Sequence, residues 1–311
     1  MTAVLSAAGI LLLAGLITCY ICFRMAFYAP RKPESGEFSL PDGEIYEAYR
    51  EQMTAWAMQV RDMPHEDMEI VSFDGLILRG KFYEYAPGAP IELMFHGYRG
   101  KAERDLCGGV QRCFALGRSA LLVDQRCCGR SEGRVITFGI REYRDCLSWL
   151  TYMEQRFGRE RKIILCGISM GAATVLMAAD QDLPDNVIGV LADCGYSSPK
   201  AIIQKVIGQM GLPPRLAYPF VKWGARLFGG FNLEEKSPVE SVKNAKVPVI
   251  FFHGESDDFV PCDMSRENYE ACSAPKRLVT TPGAGHGLCY LVDGEGYLQA
   301  LREFFPEAIK V

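Results

Sequence analysis

Apolar positions along this chain follow three patterns. Residues 2–23 carry no charge and are dominated by Leu, Ile, Ala and Val, a stretch long enough at about 1.5 Å per residue to cross a hydrocarbon core of about 30 Å as a helix. Beyond Gly43, Ile45, Tyr49, Met53, Trp56 and Val60 recur at near-helical spacing and predict an amphipathic helix over 43–61. From residue 68 the pattern changes to short apolar runs of strand length. Runs 68–73 and 76–85 flank Asp74-Gly75, a hairpin signal. Strands then follow at 91–95, 119–124, 162–168, 187–193, 247–253 and 276–281, with helices at 139–157, 170–180, 263–272 and 295–305. Such alternation predicts an α/β fold, a mostly parallel sheet flanked by helices.

Between Asp193 and Val247 lies an insertion longer than an ordinary connection, with Ile202, Ile203, Val206, Ile207, Met210, Leu212, Leu216, Tyr218, Phe220, Val221, Trp223, Leu227, Phe228 and Phe231. It reads as a helical cap at about 197–236, whose apolar residues either line a pocket or fill the cap's own core. Residues 31–42, rich in Pro, Gly, Ser and Glu, read as a linker. The chain divides into an N-terminal anchor (1–30), a linker with the amphipathic helix (31–65) and one large domain (66–311).

Composition narrows the function classes. A hydrophobic content of 49% can fill one α/β core, while a net charge of −4 offers no basic footprint for nucleic acid. No Walker or dinucleotide glycine motif follows a strand. Ten of the twelve cysteines lie beyond the apolar N-terminus, without the compact spacing of a disulfide framework and without a C-x-x-C pair, so neither a disulfide scaffold nor a zinc site is expected. No Lys or Arg precedes Arg24, which argues against a cleaved signal peptide and for a membrane anchor. Leu16-Ile17-Thr18-Cys19 only faintly matches a lipidation site. Arg24, Arg31 and Lys32 on the C-terminal flank place the domain on the cytoplasmic side by the positive-inside tendency.

Candidate chemistry begins at Gly167-Ile168-Ser169-Met170-Gly171, where an apolar run gives way to a small-residue helix pattern. That is the context of a nucleophile elbow: the serine sits on a strained turn, and the flanking glycines let strand and helix approach closely. Asp257, in His253-Gly254-Glu255-Ser256-Asp257-Asp258, follows a buried strand and would be the acid; His286, in Gly283-Ala284-Gly285-His286-Gly287, would be the base. Asp258 is the second choice of acid and Asp193 the third, the latter expected to organise the start of the insertion. His96 and His253 precede glycines at strand ends and read as structural, His65 as a surface residue, and Cys166 as a small core hydrophobe.

The order serine, acid, histidine is that of α/β-hydrolases. Over roughly residues 66–306 the chain resembles the serine aminopeptidase and monoacylglycerol-lipase-like branch of that superfamily. Phe95-His96-Gly97-Tyr98 is similar to the family's HG loop, and Ser237-Pro238-Val239-Glu240 to its approach to the acid strand. Asp124-Gln125-Arg126-Cys127-Cys128-Gly129-Arg130-Ser131 is similar to its D-x-R-G-x-G-x-S segment, with Cys127 where glycine is usual. The resemblance implies an α/β-hydrolase fold with the cap after strand 6, and an oxyanion hole from the backbone N–H groups of Tyr98 and Met170. It implies neither metal nor organic cofactor. The leading expectation is a membrane-tethered serine hydrolase of acyl esters. The alternatives are an aminopeptidase-like enzyme, with Glu234, Glu235 or Glu240 holding a substrate ammonium, and a catalytically silent binding protein.

Overall fold

The computed structural model describes residues 2–30 and 43–308, so the expected linker over 31–42, including Arg31 and Lys32, lies outside the described residues. Eight strands, β1 (Glu66–Val71), β2 (Ile77–Tyr83), β3 (Ile91–Phe95), β4 (Ser119–Val123), β5 (Ile163–Ile168), β6 (Val187–Asp193), β7 (Val249–Gly254) and β8 (Lys276–Thr281), form one sheet in the order β1-β2-β4-β3-β5-β6-β7-β8. β2 runs antiparallel to β1 and β4, and all other pairs are parallel. The parallel strands therefore end along one edge, where open α/β sheets bind their ligands. Ser72 closes the β1–β2 turn by accepting from the Leu76 amide, and Gly75 takes φ 89° within it, so both strands stop short of the predicted hairpin limits.

Period-2 alternation distributes the side chains of β3. Ile91, Leu93 and Phe95 join a core with helices Glu142–Phe157 and Met170–Ala178; Met94 joins a second core, on the opposite face, with helices Arg50–Asp62, Cys107–Ala115 and Gly294–Phe304. Helix Cys107–Ala115 was absent from the sequence expectation. Its Gly108-Gly109 pair is a poor helix former, but Val110 and Cys113 are buried against the sheet and Gly108 lies under the Trp56 ring, so packing overrides propensity. Also on this face, Glu92 is fully buried and accepts from Arg112 and from Arg118, the latter at 2.7 Å. Arg112 also reaches Cys166 Sγ at 3.2 Å, and burial pushes that thiol up to about 12.

The crossover from β6 to β7 carries the cap: helices Pro199–Gln209 and Pro214–Gly224, continued by a wide helical turn over Ala225–Gly229. Ser198 caps the first helix by accepting from the Ala201 amide. Ile202, Ile203, Ile207, Tyr218, Val221 and Phe231 point inward into a third core. Met210, Leu212, Leu216, Phe220, Trp223, Leu227 and Phe228 point outward.

The N-terminal helix, Thr2–Ala26, does not hang free of the domain. Its outer length exposes Ile10 to Leu13, Leu16 and Ile17, but Phe23 and Phe27 enter the cap's core, where Phe27 packs edge-on against Phe138 and Phe231. Gly224 passes so close to this helix that a Cβ there would collide with the Cys19 carbonyl. The chain after the helix is stitched down as well, with Ile136 N donating to Phe27 O and Ala29 N to Arg134 O. Cys19, Phe23, Phe27 and Ala29 thus pack against the folded body on the C-terminal side of the apolar stretch.

Candidate active site

Ser169 links β5 to the helix Met170–Ala178 with φ 57° and ψ −116°, a conformation that costs a non-glycine residue about 1–3 kcal/mol. Its neighbours explain how the turn is held. A Cβ on Gly167 would collide with the Gly171 carbonyl, and one on Gly171 with the Phe95 carbonyl, so both glycines are required by close approach of strand and helix. Ser169 N donates to Asp193 O at 2.8 Å, and Ser169 O accepts from the Ala173 amide, which starts the helix directly after the turn.

Asp257 lies in the loop after β7. Oδ1 accepts from the amides of Phe259 (2.9 Å) and Val260 (2.8 Å), and Oδ2 lies 2.6 Å from His286 Nδ1 and 3.2 Å from His253 Nε2. Burial pushes this carboxyl up, but the hydrogen bonds from His253, His286 and Val260 outweigh it and hold Asp257 well below the usual carboxylate range. The neighbouring Asp258 is exposed and contributes only its carbonyl, to Lys205 and Gln209. Asp193 is buried, and its Oδ2 accepts from Tyr297 at 2.9 Å. It braces the helix Gly294–Phe304, and the expected role at the start of the insertion is corrected.

His286 is set in the loop after β8. With Nδ1 bound to Asp257, its Nε2 is left facing the site, 4.0 Å from Cys194 Sγ, and the Ser169 hydroxyl makes no hydrogen bond to it among the described residues. Phe259 lies edge-on to the imidazole at 5.2 Å, and the Tyr46 hydroxyl donates to the His286 carbonyl at 3.2 Å. The helix expected over 43–61 is split into Glu44–Glu47 and Arg50–Asp62, and that last contact brings its first piece against the histidine loop.

Two backbone amides stand next to the nucleophile, one following it in the chain and one following Gly97, which packs against it. Met170 is the first residue of its helix, where N–H groups lack intrahelical partners; Tyr98 lies in the turn Gly97–Gly100, beside Arg99 at φ 53°. Neither amide has a hydrogen-bond partner among the described residues. Gly97 approaches Ser169 closely: a Cβ on it would lie 3.5 Å from the serine Cβ. The Tyr98 hydroxyl donates to Ala26 O at 2.8 Å, and Arg99 donates to Met25 O and Tyr28 O, so the end of the N-terminal helix braces this loop.

The remaining histidines differ in role. His96 accepts from the Gln125 amide at Nε2, and His65 is exposed. His253 is buried with both ring nitrogens satisfied, Nε2 by Val260 O and the Asp257 carboxylate and Nδ1 by Ser265 Oγ, so it buttresses the Asp257 loop. In the D-x-R segment, Asp124 accepts from the amides of Ala102 and Arg130, and Arg126 binds Asp145 and Asp74. Cys127 there takes φ 69°, which explains why glycine is usual at that position. Among the described residues, Cys194, Asp257 and His286 offer three possible metal-ligand atoms within 4.8 Å of one another. Asp257 and His286 are already committed to each other, and burial together with Asp193 and Asp257 pushes the Cys194 thiol well above its usual range, which suits a neutral thiol and not a ligating thiolate.

A family model described as "Alpha/beta hydrolase family" matches residues 93–300. The Bacillus subtilis protein YqkD is 26% identical over 190 residues, 61% of this chain, and the match spans 62% of that relative's length. The thiohydrolase aneE of Aspergillus aculeatus is 22% identical over 298 residues, covering 79% of this chain and 94% of that protein. Among solved structures, the Pyrococcus furiosus esterase PF2001 superposes with a TM-score of 0.68 over 91% of this chain and 99% of the esterase, at 19% identity.

Proposed function

We propose that this chain, which belongs to the alpha/beta hydrolase family, is a membrane-tethered serine hydrolase that cleaves acyl esters through an acyl-enzyme on Ser169. The observation that carries the reading is Ser169 in a strained, glycine-flanked turn, with the Asp257–His286 pair delivered to the same sheet edge. His286 Nε2 takes the serine proton as Oγ attacks the carbonyl carbon, while Asp257 holds Nδ1–H and stabilises the imidazolium. The Tyr98 and Met170 amides receive the oxyanion; such donors are worth about 2.7–4 kcal/mol each in the transition state. The tetrahedral intermediate collapses as His286 returns the proton to the leaving alkoxide, and water repeats the sequence on the acyl-enzyme.

Similarity to a thiohydrolase supports thioesters as a second substrate class, since the same acyl transfer serves a thiolate leaving group. Peptide cleavage has less support. Glu234 is tied to Tyr218, Lys222 and Lys200 and Glu240 to Lys243, and Glu235 is exposed on the cap, so no carboxylate is assigned to a substrate ammonium.

The membrane reading rests on the helix Thr2–Ala26, whose residues 9–26 average a hydropathy of 1.9 and are mostly exposed. A removable leader fits poorly, because excision would take Phe23 and Phe27 out of the cap's core. The cytoplasmic orientation follows the charges at Arg24, Arg31 and Lys32. Treating the full chain in detergent with a fluorophosphonate tests the mechanism. Labelling at Ser169 that disappears in Ser169→Ala and weakens in His286→Ala is the expected result, and a folded, unlabelled chain overturns it.

A further inference from the structure

The cap helix Pro214–Gly224 and the turn after it have two apolar faces where an ordinary surface helix has one. The inner face, with Tyr218, Val221 and Ala225, fills the cap's core. On the outer face, Leu216, Phe220, Trp223 and Leu227 recur at i, i+4, i+7 and i+11 and form one stripe, with Leu216 70% and Trp223 54% exposed. Leu212 and Phe228 extend it at either end. Phe228 meets Tyr20 and Phe23 of the N-terminal helix, the other side chains of the stripe stay exposed, and exposed apolar patches of this kind mark protein or membrane contacts.

Its position selects between those occupants. The cap helix lies against the N-terminal helix at Cys19 to Phe23, and Phe228 meets Tyr20 edge-on with ring centroids 5.1 Å apart. Residues 19–23 are the last of the apolar stretch before Arg24, where a spanning helix leaves the hydrocarbon. The exposed side chains of the helix and of the cap stripe therefore form a continuous surface. Arg215 and Arg226 on the cap and Arg24 on the helix stand beside it, with Lys222, Trp223, Arg226 and Asn232 lining a recess. Tryptophan and cations bordering an apolar face are the composition of a membrane interface.

We propose that the outer face of the cap lies in the same bilayer as the N-terminal helix, as a shallow second membrane contact that sets the cap at the lipid surface. The proposal rests on the anchor reading and is independent of the chemistry at Ser169. It places the cap, and with it the roof of the site, where an acyl chain can pass from lipid to Ser169 without crossing water.

The test uses the full chain reconstituted in phosphatidylcholine vesicles whose acyl chains carry bromine either near the headgroup or near the methyl end. Trp149 is buried and Trp56 stacks on Tyr290, so Trp223 is the tryptophan placed to meet lipid. Quenching strongest with the headgroup-proximal bromines, and lost in Trp223→Phe, is the expected result. Unquenched emission from a chain that resists carbonate extraction overturns the cap contact and leaves the anchor standing; unquenched emission from a chain that carbonate releases overturns both. Emission shielded by chain-to-chain crosslinking through Trp223 overturns the lipid contact in favour of a second copy. In the double variant Leu216→Glu/Leu227→Glu, turnover of a long-chain ester held in vesicles should fall about tenfold, equivalent to 1.4 kcal/mol of lost partitioning, with a short water-soluble ester unaffected. Equal turnover of both esters by parent and variant counts against the proposal.

Discussion

Asp257 and Glu92 are both buried carboxylates, and each is approached from two sides by nitrogen-bearing side chains. Glu92 sits within β3, and both of its partners are guanidinium groups, which stay charged at any accessible pH. Asp257 sits in a loop at the sheet edge, bound by two backbone amides and by two imidazoles, one of which, His286, keeps 13% of its side chain exposed. The first assembly is closed, because no member can exchange a proton with anything outside it. The second ends on a ring that is partly exposed and whose far nitrogen is not spent on a carboxylate, and that difference separates a buried ion cluster from the one proposed to carry protons.

The contrast breaks if the two carboxylates respond alike to neutralisation. Asp257→Asn should lower kcat by roughly 10⁴-fold, about 5.5 kcal/mol, by losing the hold on the imidazole tautomer and on the imidazolium. The protein should remain folded, as circular dichroism would show. Glu92→Gln should leave the kcat of the folded fraction near that of the parent but cost about 3–5 kcal/mol of stability, since two buried guanidinium groups lose their counter-charge. Denaturant melts beside active-site titration would separate the effects; a stable Glu92→Gln protein with depressed kcat would place Glu92 in the catalytic machinery instead.

The two carboxylates also differ in how far the sequence exposed them. The pairing of Asp257 with His286 was expected because the proposed chemistry needs a particular order of residue types at strand ends, and the turn at Ser169 because Gly167 and Gly171 are needed for backbone clearance visible in five letters. Glu92 is a single charged letter in an apolar strand, and its partners lie 20 and 26 residues away, where no periodicity points. The cap was readable as an apolar insertion, but its division into an inward and an outward face depends on what the sheet and the N-terminal helix cover. The same holds for that helix: composition marks its apolar length, whereas the insertion of Phe23 and Phe27 into the cap core is a tertiary fact. Helix Cys107–Ala115 was hidden by its own glycines.

A smaller effect shared by both carboxylates sharpens the comparison along pH. Each is held below its ordinary range: for Glu92 burial pushes upward and Arg112 and Arg118 outweigh it, and for Asp257 the histidines and the Val260 amide do so. A carboxyl lowered in the folded state contributes stability that is full above its unfolded pKa of about 4 and is lost as pH falls through the folded value. Stability of the parent should therefore drop as pH falls below about 4. Asp257→Asn and Glu92→Gln should each flatten part of that slope, measured by urea denaturation across pH 2 to 6, about two units either side of the unfolded pKa. Parallel slopes for parent and variants would mean that neither group is perturbed.

The smallest predicted effect concerns the loop facing both the nucleophile and the N-terminal helix. The Tyr98 amide is assigned to the oxyanion, while the Tyr98 hydroxyl is spent on Ala26 O, one of the last carbonyls of that helix. Removing the hydroxyl alone, in Tyr98→Phe, takes away one hydrogen bond worth about 0.5–1.5 kcal/mol and leaves the ring in place against Phe138. If the helix end merely adds stability, the loss appears in the melting temperature and kcat is unchanged. Because the same residue carries the amide proposed to meet the developing oxyanion, the loop's freedom should instead reach the transition state. The expected result is a fall in kcat of about 2- to 10-fold with KM little changed. Arg99→Met, which withdraws the bonds to Met25 O and Tyr28 O from the next residue, should deepen the loss. A Tyr98→Phe enzyme with parental kcat would confine the bond from the loop to the N-terminal helix to anchoring and stability.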